Sequence, residues 1–70
     1  MKGFIKLTEY VRGGEESPVY VNISQITRFV PIRTEESTHG SRIMGVSIHG
    51  FIEVIETPEE ILQQIRNNIR

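Results

Sequence analysis

Two histidines, three pairs of adjacent glutamates and a scatter of serines are the residues of this chain that could carry chemistry. His39 and His49 are the side chains whose ordinary pKa lies near neutrality, so acid–base or metal chemistry would begin with them. A metal site needs several such donors converging on one point. The chain has no Asp and no Cys to complete such a set, and both histidines fall in loop or turn segments. Both histidines are therefore read as structural or solvated. The pairs Glu15-Glu16, Glu35-Glu36 and Glu59-Glu60 suggest general acid–base work, which requires a desolvated carboxylate held against a second group. Two of these pairs fall in polar loops, and the third is accounted for by a helix start. Ser24, Ser37, Ser41 and Ser47 form no nucleophile elbow and no His–acid relay. Gly13-Gly14 is followed by neither a Lys nor a helix start, as a phosphate loop would require. The expectation is a protein that is not an enzyme, with no cofactor, metal or small-molecule substrate.

The elements that position these residues are clearest near the end of the chain. Thr57 suits the N-cap of a helix, Pro58 the first helical position, and Glu60 stands three residues after Thr57 to complete a capping box. Glu59 and Glu60 also face the positive end of the helix dipole. A helix is predicted from Pro58 to about Ile69, with Ile61, Leu62, Ile65 and Ile69 on one face. About a dozen residues is marginal for an isolated helix, so this stripe must pack on something.

Upstream the pattern is that of strands. Phe4 to Val11 alternates with a period of two, and Pro18 to Asn22 resumes extended structure after a polar, Gly-containing connection; together they predict a hairpin. Asn22 to Ile26 reads as a capped single turn with Ile23 and Ile26 tucked inward. Thr27 to Arg33 is a third strand, placed at an edge or bulged because Pro31 lacks a donor. The polar segment 34–41 reads as a mobile loop. Arg42 to Ile48 is a fourth strand, His49-Gly50 a tight turn, and Phe51 to Ile55 a fifth strand. The fold class expected for residues 1–70 is a single α+β domain. Its curved antiparallel sheet has four to five strands, open or curled into a partial barrel, with one C-terminal amphipathic helix.

Parity along these strands separates two kinds of side chain. Ile5, Leu7, Val19, Val21, Val30, Ile32, Ile52 and Val54 oppose Phe4, Tyr10, Tyr20, Phe29 and Phe51, since successive strand residues point to opposite faces. One short helix cannot cover both faces. Two outcomes are open: the aromatics fill the inside of a curled sheet, or they form a binding face, most simply for a second copy of the chain. The interaction residues expected on this second reading are Phe4, Tyr10, Tyr20, Phe29 and Phe51. The alternative partner is single-stranded nucleic acid, with bases stacked on the aromatics beside Lys6. Against it, Arg28 has the opposite parity to Phe29, and eight Lys and Arg against nine Glu leave a net charge of −1 rather than a basic surface.

Seventy residues make a small core, which self-association often supports where no disulfide is available. No apolar run reaches the length of a membrane span. The opening Met1-Lys2-Gly3-Phe4-Ile5-Lys6 turns polar too soon for a signal peptide, so the expected compartment is the cytoplasm. Three segments carry a family resemblance: Phe4-Ile5-Lys6-Leu7-Thr8, then Val19-Tyr20-Val21-Asn22 with Ile26, and Val54-Ile55-Glu56-Thr57-Pro58-Glu59-Glu60-Ile61. Covering less than half the chain, they resemble the FlbD-like proteins, short bacterial proteins associated with flagella and swarming motility, and similar small bacterial or phage proteins. The resemblance implies strands followed by a helix and brings no catalytic residues with it. The function expected is a small protein–protein interaction module that forms a homo-oligomer or binds another protein.

Overall fold

The computed structural model of this chain describes residues 3–11, 15–33 and 40–68. Strands β1 (Phe4–Val11) and β2 (Glu15–Asn22) form an antiparallel hairpin in which Ile5 faces Val21 and Leu7 faces Val19. A single 3-10 turn, Ile23–Gln25, leads to β3 (Arg28–Pro31), followed by β4 (Ser41–Met44), β5 (Phe51–Val54) and the helix α1 (Pro58–Asn68). The five strands make one antiparallel sheet in the order β2-β1-β5-β4-β3. The fold is therefore α+β, and the sheet does not close into a barrel.

Two units can be distinguished in this sheet: the long β1–β2 hairpin and the three-stranded β3–β4–β5 meander. They meet at a narrow seam, where Glu9 pairs with Val54 and the Ile55 amide donates to the Thr8 carbonyl at 3.0 Å. Although β2 and β3 stand at opposite edges, only residues 23–27 join them. A flat sheet of this width measures roughly 19 Å between its outer strands. A connection that spends three residues in a 3-10 turn reaches no further than about that. The sheet must therefore coil toward its own edge, and it folds around one apolar cluster.

That cluster contains Ile5, Leu7, Val21, Ile43, Val54 and Ile61, with Val19, Ile23, Ile26, Phe29, Val46, Ile52 and Ile65 packed around it. Aliphatic parity on β1, β2 and β5 thus marks the core face, and Ile23 and Ile26 do tuck inward. The helix contributes Ile61 and Ile65 to the cluster, lies against β1 and β3, and leaves Leu62 exposed. Its capping box is formed as the residue types require: the Glu60 amide donates to Thr57 Oγ1 at 3.2 Å, and the Thr57 amide donates to Glu60 Oε1 at 2.8 Å.

Helix and strand also fit in length. Eleven helical residues span about 16 Å, close to the roughly 17 Å between Gly3 and Thr8 along β1. This half of β1 runs past the seam without a strand neighbour on that side, and two side chains serve its backbone instead. Asn68 accepts from the Gly3 amide and donates to the Phe4 carbonyl, both at 2.8 Å. Glu56 accepts from the Thr8 amide at 2.9 and 3.1 Å through its two oxygens. The buried Ser41 hydroxyl donates to the Glu56 carbonyl at 2.8 Å, which ties β4 to the same junction.

Four local expectations change. Strand β2 begins at Glu15 rather than Pro18. Segment 34–41 was expected to be a loop throughout; residues 34–39, which include His39, lie outside the described set. Ser41, however, already belongs to β4, and just before it the Gly40 carbonyl accepts from the Ile32 amide at 3.0 Å. Strand β4 stops at Met44 instead of continuing to Ile48, because Gly45 turns the chain with φ +98°. A Cβ there would lie 2.4 Å from the Gln25 carbonyl oxygen, so the position admits only glycine. The β4–β5 connection is consequently a longer loop through Gly50 rather than a two-residue turn. It is held by bonds from Gly45 to the Gly50 carbonyl and from Gly50 to the Ser47 carbonyl.

Candidate interaction surface

The strand register settles which side chains stand on the outer face, away from the cluster. On the hairpin these are Phe4, Lys6, Thr8 and Tyr10 of β1, cross-paired with Asn22, Tyr20, Pro18 and Glu16 of β2. On the meander they form two rows across three strands, one of Arg28, Met44 and Phe51, the other of Val30, Arg42 and Glu53. Four of the five aromatics expected to share a face therefore do so. The fifth does not. Phe29 is paired with the fully buried Ile43 and packs against the core.

The reversal at Phe29 follows from the register of β3 on β4. Both the amide and the hydroxyl of Thr27 donate to the Met44 carbonyl, at 2.9 and 3.0 Å, and this places Phe29 opposite Ile43. Val30 and Ile32, expected inside, are left half-buried. The same step moves Arg28 to the outer face, beside the aromatics it was expected to oppose.

Exposure grades the four outer aromatics. Tyr20 is 58% exposed and Phe51 44%, whereas Phe4 and Tyr10 are half-buried. Around Phe51 the face is organised by charge. Arg42 stacks over the ring with its guanidinium carbon 4.6 Å from the centroid, and its Nε and Nη2 donate to Glu53 Oε2 at 3.1 and 2.7 Å. Stacking and ion pairing together hold the guanidinium flat on the sheet. Arg28 reaches across to the Met44 sulfur, 3.0 Å from its Nε, and forms no carboxylate pair among the described residues.

A half-open cleft of about 270 Å³ lies where the end of β2 approaches the start of the β4–β5 loop. Its walls include Phe4, Val19, Tyr20, Val21, Val46 and Ile52. Asn22 and Gln25 complete this lining, so it offers no acid, base or thiol. His49 is exposed on the loop, with its amide donating to Ser47 Oγ at 3.1 Å. Among the described residues no group of three His, Cys, Asp or Glu side chains could hold a metal ion. None of their helices is long and apolar enough to cross a membrane. Ile48, 97% exposed in the β4–β5 loop, and Leu62 on the helix are large exposed apolar residues that do not belong to the outer face.

Edges matter as much as faces in a sheet protein, since an unpaired strand invites another. The backbone groups of Phe4 and Thr8 turn away from β2, so by antiparallel alternation Ile5, Leu7 and Glu9 bond to it. Pro18, opposite Thr8, then faces outward from β2. On β3 the Ile32–Gly40 bond sets the alternation, which turns the backbone of Pro31 outward as well. Each outer edge thus carries a proline where a donor would be needed, and the free half of β1 is covered by Asn68 and Glu56.

With this geometry established, comparison with known proteins adds no relative: no protein-family model, curated protein or solved structure matches the chain.

Proposed function

We propose that this protein is a non-enzymatic interaction module that self-associates through the outer face of its sheet. The observation that carries this reading is the exposure of Tyr20 and Phe51 on a face that the helix does not cover. Aromatic side chains set among charged ones are the usual anchors of protein contacts. The prolines at both outer edges and the side chains closing β1 oppose strand addition, which favours a face-to-face contact. Sedimentation of the wild-type chain over a wide concentration range tests this. A mass rising above 8.0 kDa is expected, with the rise abolished in Tyr20→Ser/Phe51→Ser. A wild-type mass constant at the protomer value contradicts the reading.

One observation favours a second reading, single-stranded nucleic-acid binding. Lys6, Arg28 and Arg42 share the outer face with Phe4, Tyr10, Tyr20 and Phe51, an arrangement of cations and rings on which bases stack. Binding of a fluorescent oligonucleotide that weakens steeply with salt and is lost in Tyr20→Ala supports it, and no binding at low salt ends it.

A further inference from the structure

We infer that the free edge of β1 carries a binding site for one amino-acid residue in extended form, an uncharged ligand with an intact amide on either side of a single carbon. The site lies between β1 and α1 and does not depend on what the outer face contacts. The helix runs antiparallel to this half of β1: Glu56, just before it, serves the Thr8 amide at one end, and Asn68 serves Gly3 and Phe4 at the other. Between them stands Lys6. Its backbone turns away from β2, as those of Phe4 and Thr8 do on either side, and β5 pairs with β1 only at Glu9. Among the described residues neither its N–H nor its C=O meets a partner.

The helix places a matching group at this position. Gln64 precedes Asn68 by one turn, about 6 Å along the helix, and Lys6 follows Phe4 by two residues, about 6.6 Å along the strand. The half-buried Gln64 therefore stands across from Lys6 as Asn68 stands across from Phe4, yet its carboxamide forms no hydrogen bond among the described residues. An open cavity of about 290 Å³ lies here, lined by Phe4, Ile5, Lys6, Gln64, Asn67 and Asn68. No carboxylate lines it, and the Lys6 ammonium belongs to a side chain on the outer face. A strand residue whose N–H and C=O turn the same way exchanges two hydrogen bonds with another such residue. The complement of Lys6 is therefore a C=O and an N–H flanking one carbon, and the Gln64 carboxamide offers that ligand a further donor and acceptor. Glu56 and Asn68 close the edge at Thr8 and Phe4, about 13 Å apart, which excludes a continuous strand and admits a capped amino acid.

Titration of the full chain with N-acetylglycine N-methylamide, followed by NMR, tests the inference. The Lys6 backbone amide and the Gln64 side-chain amide are expected to shift together and saturate, with a Kd on the order of millimolar for so small a ligand. N-acetylsarcosine dimethylamide, which has no N–H to give, is expected to bind about tenfold more weakly or not at all. Equal binding of the two compounds overturns the inference, and so does the absence of saturable shifts at Lys6 and Gln64. Lys6→Pro removes the one N–H that the site requires. Because that N–H serves no ladder bond, the variant is expected to keep the wild-type circular dichroism spectrum and lose binding. Should it fail to fold, Gln64→Leu takes its place, with binding expected to weaken about threefold. Unchanged binding in the variant used counts against the site. Hydrogen exchange in the ligand-free chain adds a check that needs no ligand. The Lys6 amide is expected to exchange faster than those of Ile5 and Leu7, which bond to β2, and to slow when the ligand is added. A Lys6 amide as protected as its two neighbours in the free chain means that the gap is already closed, and overturns the inference.

Discussion

The core face and the outer face of this sheet are made by the same five strands, residue by residue in alternation, yet they meet opposite surroundings. On the core face Ile5, Leu7, Val21, Ile43 and Val54 close with Ile61 into a nearly dry cluster. On the outer face Lys6, Glu16, Tyr20, Arg28 and Phe51 stand in solvent, and Arg42 lies flat between a ring and a carboxylate. The helix accounts for the difference, because it can cover one face only. Folding is explained by the first face alone, so the exposed rings on the second call for a separate explanation, and association supplies one.

Substitutions can break or sharpen this contrast, and the largest effect belongs to the core. Leu7→Ala should cost about 2–5 kcal/mol in urea unfolding, because it leaves a cavity in a closely packed cluster. A cost as small as that of an outer-face substitution would erase the distinction between the faces. The next effect lies at the seam between hairpin and helix. Glu56→Ala strands the Thr8 amide and should cost about 1–3 kcal/mol, with faster hydrogen exchange at Thr8 than at Leu7. Thr57→Ala removes the helix N-cap and should cost about 1 kcal/mol, read from the same unfolding curves. Smallest is Tyr20→Ser, measured on dilute, dissociated protein, where stability should change by less than about 0.5 kcal/mol while association is lost. A larger loss in the dilute protein would assign Tyr20 to folding rather than to contact.

What could be read from the chain beforehand follows the range of the interactions that decide it. The helix start was legible because Thr57, Pro58 and Glu60 act on one another within a single turn. Asn22 and its turn were legible for the same reason, since the Ser24 amide and hydroxyl both donate to Asn22 Oδ1. The facing of Phe29 was not, because Thr27 sets it through the carbonyl of Met44, seventeen residues away. That one register also decides where Arg28 stands, and with it the charge of the outer face. The closure of β1 by Glu56 and Asn68 depends on contacts across 48 and 64 positions, which no local pattern announces. Gly45 could be seen as a weak point in a strand, but its role as the start of a loop rests on its approach to Gln25.

Mapping the concentration dependence of backbone amide NMR signals on dilution tests the central claim most directly. If the outer face is the contact, signals of Lys6, Glu16, Tyr20, Arg28, Met44 and Phe51 shift with concentration, while those of Ile48 and Leu62 stay fixed. Shifts confined to Ile48, Leu62 or the helix, or no shifts at all up to high concentration, contradict it.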